Sequence, residues 1–227
     1  MKRIVLATPC RDSLGLKYVG GLFNSFGLLG GRYEIVPAVN LSTCIHDARG
    51  ELVEYAKSLE AAEIIFVDSD IGWVAPDLER LLSHDVDIVG ADYCKRIEGN
   101  PPQMTARAAD GVPGTGDNSL IECTSLPAGF LRIKMDVFRA MFDFFPERRF
   151  LHADKSIRCE YFPTGLVEPY GWKYPSAGAA GDLAEQISED VGFCRLARAA
   201  GFTLWCDIAI KLRHHGDIGF PAVQLPI

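Results

Sequence analysis

The chain has 227 residues, enough for one large α/β domain or two small ones with a proper core. Its 48% hydrophobic and 23% charged residues are those of an ordinary soluble globular protein. A net charge of −7 with no Lys/Arg-rich run argues against a nucleic-acid partner, and no apolar run approaches the length of a membrane span. Seven scattered cysteines without a Cys-x-x-Cys pair suit free thiols in a reducing compartment. The expectation is therefore a cytoplasmic protein without a structural zinc site.

In chain order, the apolar run after Met1-Lys2-Arg3 stops at Pro9-Cys10-Arg11-Asp12, too soon for a signal peptide, so residues 2–7 read as a first strand. A glycine-punctuated helix over 14–30 and a strand over 33–39 come next. Residues 47–60 carry Leu52, Val53, Ala56 and Leu59 on one face and read as an amphipathic helix. The run Ile64-Ile65-Phe66-Val67 reads as a strand buried on both faces, succeeded by a helix over 76–82 and a strand over 86–90. This βαβαβ rhythm implies a parallel sheet with helices on both faces.

Beyond Gly90 the rhythm changes. Residues 100–116 are rich in Pro and Gly and read as loop or hairpin, with Asp110-Gly111 as the turn. Strands are expected over 119–125 and 129–134, and a helix over 136–145 ended by Pro146. Residues 162–184 read as a binding loop or lid. A helix over 188–200, with acids in its first turn, is closed by Gly201. Extended pieces over 203–207 and 208–212 complete a single domain.

The most informative motif is Asp68-Ser69-Asp70, which comes directly after the buried strand. Strands of an open α/β sheet end at the edge where ligands bind. Two carboxylates there are costly if buried unpaired, so a divalent cation is their natural partner, although a solvated turn has the same composition. Such a cation would neutralise a diphosphate leaving group. Arg49, near the expected start of its helix, has the wrong sign for a helix N-terminus, which hints at an anion there. Glu189 and Asp190 are adjacent and point in different directions, so one can act as general base while the other orients a substrate. His214 and His215 face opposite sides of an extended chain, so at most one joins the metal. Imidazole beside carboxylates suits Mn²⁺ better than Mg²⁺. Trp73, Tyr93 and the aromatics over 170–174 are candidates for stacking on a base or sugar, or for the core.

Taken together, these segments resemble the GT-A glycosyltransferases, particularly the family 2-like members and the fungal mannosyltransferases. The matching pieces run in the family's order along almost the whole chain: Val5-Leu6-Ala7-Thr8-Pro9, Ala48-Arg49, Phe66-Val67-Asp68-Ser69-Asp70-Ile71-Gly72-Trp73, Val89-Gly90-Ala91-Asp92-Tyr93-Cys94-Lys95, Pro127-Ala128-Gly129-Phe130-Leu131, Ser188-Glu189-Asp190-Val191-Gly192-Phe193-Cys194-Arg195 and Leu212-Arg213-His214-His215-Gly216. The resemblance implies a Rossmann-like mixed sheet flanked by helices, with residues 1–95 as nucleotide-binding half and 96–227 as acceptor-binding and catalytic half.

It also implies roles. Thr8, Pro9 and Arg11 would line the nucleotide pocket, and Arg49 would approach the nucleotide or its phosphates, with Gly50 where the family often has Asn. Asp68, beside Ser69, would face the ribose or metal, and Asp70 would ligate the metal with His214. Lys95 would lie near the donor, and Ala128 and Gly129 would wall the place where donor and acceptor meet. Asp190, with Glu189 as the alternative, would be the base of an inverting enzyme. The implied cofactor is Mn²⁺ or Mg²⁺, the donor a UDP- or GDP-sugar, and the acceptor unspecified. The competing functions are a sugar-phosphate nucleotidyltransferase, for which residues 8–15 supply only Arg11 and one glycine, and a non-catalytic sugar-nucleotide-binding protein. A haloacid-type phosphatase would carry its Asp-x-Asp at the end of the first strand rather than a later one.

Overall fold

A computed structural model describes residues 1–93, 106–109, 119–167 and 185–215. The expected turn at Asp110-Gly111, Lys95, Gly216 and residues 168–184 of the expected lid, with the aromatics over 170–174, lie outside the described residues.

Strand β1 (Lys2–Cys10) leads into helix α1 (Leu16–Leu29), strand β2 (Tyr33–Leu41), helix α2 (Ile45–Ser58) and strand β3 (Glu63–Val67). A short β4 (Ile71–Gly72), helix α3 (Ala75–Ser83) and β5 (Ile88–Gly90) succeed them. Then come β6 (Arg107–Ala108), β7 (Leu120–Ser125), β8 (Phe130–Lys134) and helix α4 (Met135–Phe144), which Pro146 stops with a single 3₁₀ turn. The last part holds β9 (Arg149–Leu151), β10 (Ile157–Cys159), β11 (Gly165–Val167), β12 (Glu185–Ile187), helix α5 (Glu189–Ala199), β13 (Leu204–Asp207) and β14 (Arg213–His214).

Among the described residues eight strands form one mixed sheet in the order β2-β1-β3-β8-β5-β13-β7-β6. β2, β1 and β3 are mutually parallel, as the alternating rhythm implies. The expected continuation of β3 directly into β5 is interrupted, because β8 inserts between them antiparallel to both. Its Phe130, Leu131 and Ile133 are buried, which suits a central strand covered on both faces.

Both faces of the sheet are packed. In β1 and β3, Val5, Ala7, Ile64 and Phe66 point to a core shared with α2, α4 and α5. The alternate residues Ile4, Leu6, Ile65 and Val67 point to a second core with α1 and α3. The period-two alternation of strand side chains thus becomes two cores, one on each side of a three-layer α/β/α arrangement. No helix among the described residues is long and apolar enough to cross a membrane.

Opposite the Asp-x-Asp turn, the amino end of β3 holds a fully buried ion pair. Arg132 of β8 donates to Glu63 Oε1 at 3.0 Å, and to the carbonyls of His84 and Val86 at 2.9 Å each. Lys2 Nζ reaches the same carboxylate oxygen at 2.7 Å.

Candidate functional site

Asp68 is the first residue past β3. Because β8 runs against β3, its entry lies beside the exit of β3, and Asp68 N–H donates to the Gly129 carbonyl at 3.1 Å. Asp68 Oδ1 accepts from Arg49 Nη2 at 2.8 Å. Arg49 is 1% exposed. Its Nη1 donates to the Ala128 carbonyl at 3.3 Å, its guanidinium lies 5.2 Å from the centre of the Phe66 ring, and its Nε faces Glu189 Oε1 at 3.6 Å. Burial alone would depress the Arg49 pKa, but Asp68 and Glu189 outweigh it and hold the group above its ordinary value. Arg49 stands in the second turn of α2, which begins at Ile45 rather than at residue 47. The carboxylates of the protein that answer it are Asp68 and Glu189.

Helix α5 brings Glu189 and Asp190 to the same region, and the two diverge as adjacent residues must. Glu189 turns toward Arg49. Its burial raises its pKa, with Arg49 opposing the shift and Asp190 adding to it. Asp190 Oδ1 accepts from the Ser188 hydroxyl and, at 2.7 Å, from Val191 N–H.

β14 pairs with β4 so that His214 stands opposite Ile71, one residue past Asp70. This puts His214 Nε2 3.5 Å from Asp70 Oδ2. His215 donates its N–H to the Asp70 carbonyl at 2.8 Å. Its ring packs over Gly72, where an added Cβ would come 2.6 Å from Nε2. Burial, with Lys17 and Arg213 nearby, lowers the His215 pKa. Of the two histidines, His214 is the one beside the carboxylate.

Among the described residues no group of three or more His, Cys, Asp or Glu side chains is arranged to hold a metal ion. Asp68, expected at the ribose or the metal, has one carboxylate oxygen on Arg49. The Asp70–His214 pair still fits a small divalent ion, because one carboxylate oxygen and one imidazole nitrogen 3.5 Å apart are close enough to share it.

A cavity of about 220 Å³ opens at this edge, lined by Pro9, Cys10, Arg11, Ser42, Thr43, Ile45 and the Asp68-Ser69-Asp70 turn. Thr8 is placed differently from the expectation, and Trp73 and Tyr93, open between stacking and core, are settled as buried. Thr8 is buried, with its hydroxyl bonded to that of Tyr18, so it lies under the cavity wall rather than in it. Trp73 is core: its ring meets Tyr18 edge-on at 5.1 Å, and Nε1 donates to Ser25 Oγ at 3.0 Å. Tyr93 is also buried, edge-on to His214 at 5.1 Å, so its faces do not form an open stacking platform. Gly129 lies under it, where a Cβ would stand 2.3 Å from Tyr93 Oη and 2.8 Å from Asp68 Oδ2.

The lining residues Cys10, Ser42, Thr43 and Ile45 were not legible as such. β1 and β2 run on to Cys10 and Leu41, beyond the ends at 7 and 39 that their apolar residues suggest. The signal that points to Ser42 and Thr43 is their place just past the carboxyl end of a parallel strand, the edge where open α/β sheets bind ligands.

No protein-family model and no curated protein matches the chain. Among solved structures, the crystal structure of A197 from STIV is similar, with a TM-score of 0.53 and 13% identity over 100% of this chain and 98% of that one. At that identity the likeness concerns the fold alone.

Proposed function

We propose that this protein is a GT-A-type glycosyltransferase that moves a sugar from a nucleoside-diphosphate donor to an acceptor hydroxyl with the help of Mn²⁺ or Mg²⁺. The observation that carries the reading is the meeting of Asp70 and His214, far apart in sequence, beside a cavity at the carboxyl edge of the parallel strands. A bound ion would neutralise charge on the departing diphosphate, and such ions keep positions for phosphate oxygens and water when one or two protein groups hold them.

The protein's own residues would do the rest. Pro9, Arg11, Ser42 and Thr43 would bind the nucleotide part, with Arg11 meeting its charge. Arg49 would act indirectly, holding Asp68 and Glu189 in place while buried away from the donor. That leaves Asp190 as the candidate base: Glu189 is turned to Arg49, whereas Asp190 also lines a second, larger cavity.

Thermal-shift measurements with UDP, GDP and other nucleoside diphosphates, with and without Mn²⁺, test the reading. One nucleotide should stabilise the protein only with metal, by about 2.7 kcal/mol at a hundredfold excess over Kd, and Asp70→Asn should abolish the effect. Binding of none of them with any divalent ion, or metal-dependent binding that survives in Asp70→Asn, would overturn it.

A further inference from the structure

The larger cavity has a charge pattern that the donor site does not explain. It measures about 530 Å³ and lies between β7, β12 and one side of α5, within the size range of small-molecule sites. Among the described residues that line it, three are arginines, Arg107, Arg195 and Arg198, and one is a carboxylate, Asp190.

The fold explains how they meet. Arg195 and Arg198 are four and seven residues beyond Val191 on α5, so all three share the helix face that lines the cavity. Arg107 comes from β6 at the edge of the sheet, paired across from Ser125 of β7. Arg107 and Arg198 are exposed, and neither makes an ion pair among the described residues. Guanidinium forks match the oxygens of phosphate and carboxylate groups, so converging arginines select an oxyanion over a neutral sugar.

We propose that this cavity is the acceptor subsite and that the acceptor carries a phosphate group, held by Arg107, Arg195 and Arg198 with its reacting hydroxyl turned to Asp190. The inference rests on the glycosyltransferase reading for the step itself. In that step the acceptor oxygen forms a bond to the anomeric carbon as the bond from that carbon to the diphosphate oxygen breaks. The electron pair leaves with the diphosphate, and the hydroxyl proton passes to the Asp190 carboxylate. The phosphate can belong to a soluble phosphomonoester or to a lipid headgroup, and the chemistry of recognition is the same.

The test measures binding of inorganic phosphate and glycerol 3-phosphate in EDTA, so that no donor-site metal contributes, to the wild type and to an Arg195→Gln/Arg198→Gln variant. Both anions should bind the wild type while glycerol does not. The variant should lose about tenfold or more in affinity yet keep its affinity for nucleoside diphosphate with Mn²⁺. Phosphatidic acid vesicles that retain the protein, in competition with glycerol 3-phosphate, support a lipid-borne phosphate. Glycerol 3-phosphate binding without vesicle retention supports a soluble one. Equal phosphate affinity in wild type and variant overturns the proposal. Phosphate binding at these arginines in a protein that binds no nucleoside diphosphate overturns the acceptor role through failure of the donor reading instead.

Discussion

Replacing Arg49 with Met tests the centre of the site most directly. The substitution keeps an apolar stem of similar length but leaves Asp68 and Glu189 without their cation. It removes the 2.8 Å contact with Asp68 Oδ1, the bond to the Ala128 carbonyl and the stacking over Phe66. Removing one partner of a buried ion pair costs about 3–5 kcal/mol. The Asp68 side chain is 24% exposed, so water can solvate part of it and the lower end of that range applies, about 3 kcal/mol. Lost cation–π attraction adds up to about 1 kcal/mol. For a chain of this size the total corresponds to a fall in Tm of about 10 °C. Urea unfolding at pH 7 measures the loss directly, and Arg49→Met combined with Asp68→Asn separates its source. If the pair is responsible, neutralising Asp68 in the variant restores more than about 1 kcal/mol relative to additivity. A loss below about 1 kcal/mol, or strictly additive behaviour, would refute this account of Arg49.

Arg132→Met should cost about 3–5 kcal/mol in urea unfolding, since it leaves Glu63 buried with only Lys2 and frees the carbonyls of His84 and Val86. A loss under about 1.5 kcal/mol would contradict the burial of that pair. Gly129→Ala should destabilise by about 1–3 kcal/mol and weaken nucleotide binding, because its Cβ collides with Tyr93 Oη and Asp68 Oδ2; unchanged unfolding and binding would show that the loop yields freely. Glu189 gives a pH signature. Burial raises its folded pKa above the unfolded value of about 4.3. Its contribution to stability is therefore full below that value and is lost as pH rises through the folded pKa. Glu189→Gln lacks this loss, so its stability relative to wild type should increase from pH 4 upward and then level off. Urea midpoints across pH 4–8 that show a constant or shrinking difference would refute the shift.

Much of the architecture was legible because it depends on local periodicity. The run Ile64-Ile65-Phe66-Val67 reads as a strand buried on both faces, and its alternate side chains enter the two cores. Leu52, Val53 and Ala56 mark the buried face of α2. The turn Asp68-Ser69-Asp70 falls at the edge where parallel strands end, a position set by the order of elements alone. The acids at the start of α5 were equally visible, and their divergence is a consequence of helix geometry.

Partners in space were another matter. Nothing in the sequence around residues 130–134 says that β8 enters between β3 and β5, yet that insertion sets Gly129 beside Asp68 and Ala128 beside Arg49. Nothing near Trp73 distinguishes a core ring from a stacking platform; the space left by Gly21, where a Cβ would approach within 2.6 Å of the indole, decides it. The sequence by itself determined which residues alternate, which helical faces are apolar and that two carboxylates stand past a buried strand. The tertiary structure alone decided that Asp68 answers Arg49, that Asp70 meets His214 and that three arginines share a cavity with Asp190. Periodicity is a property of neighbouring residues, whereas charge pairing depends on strand order and on contacts between distant segments.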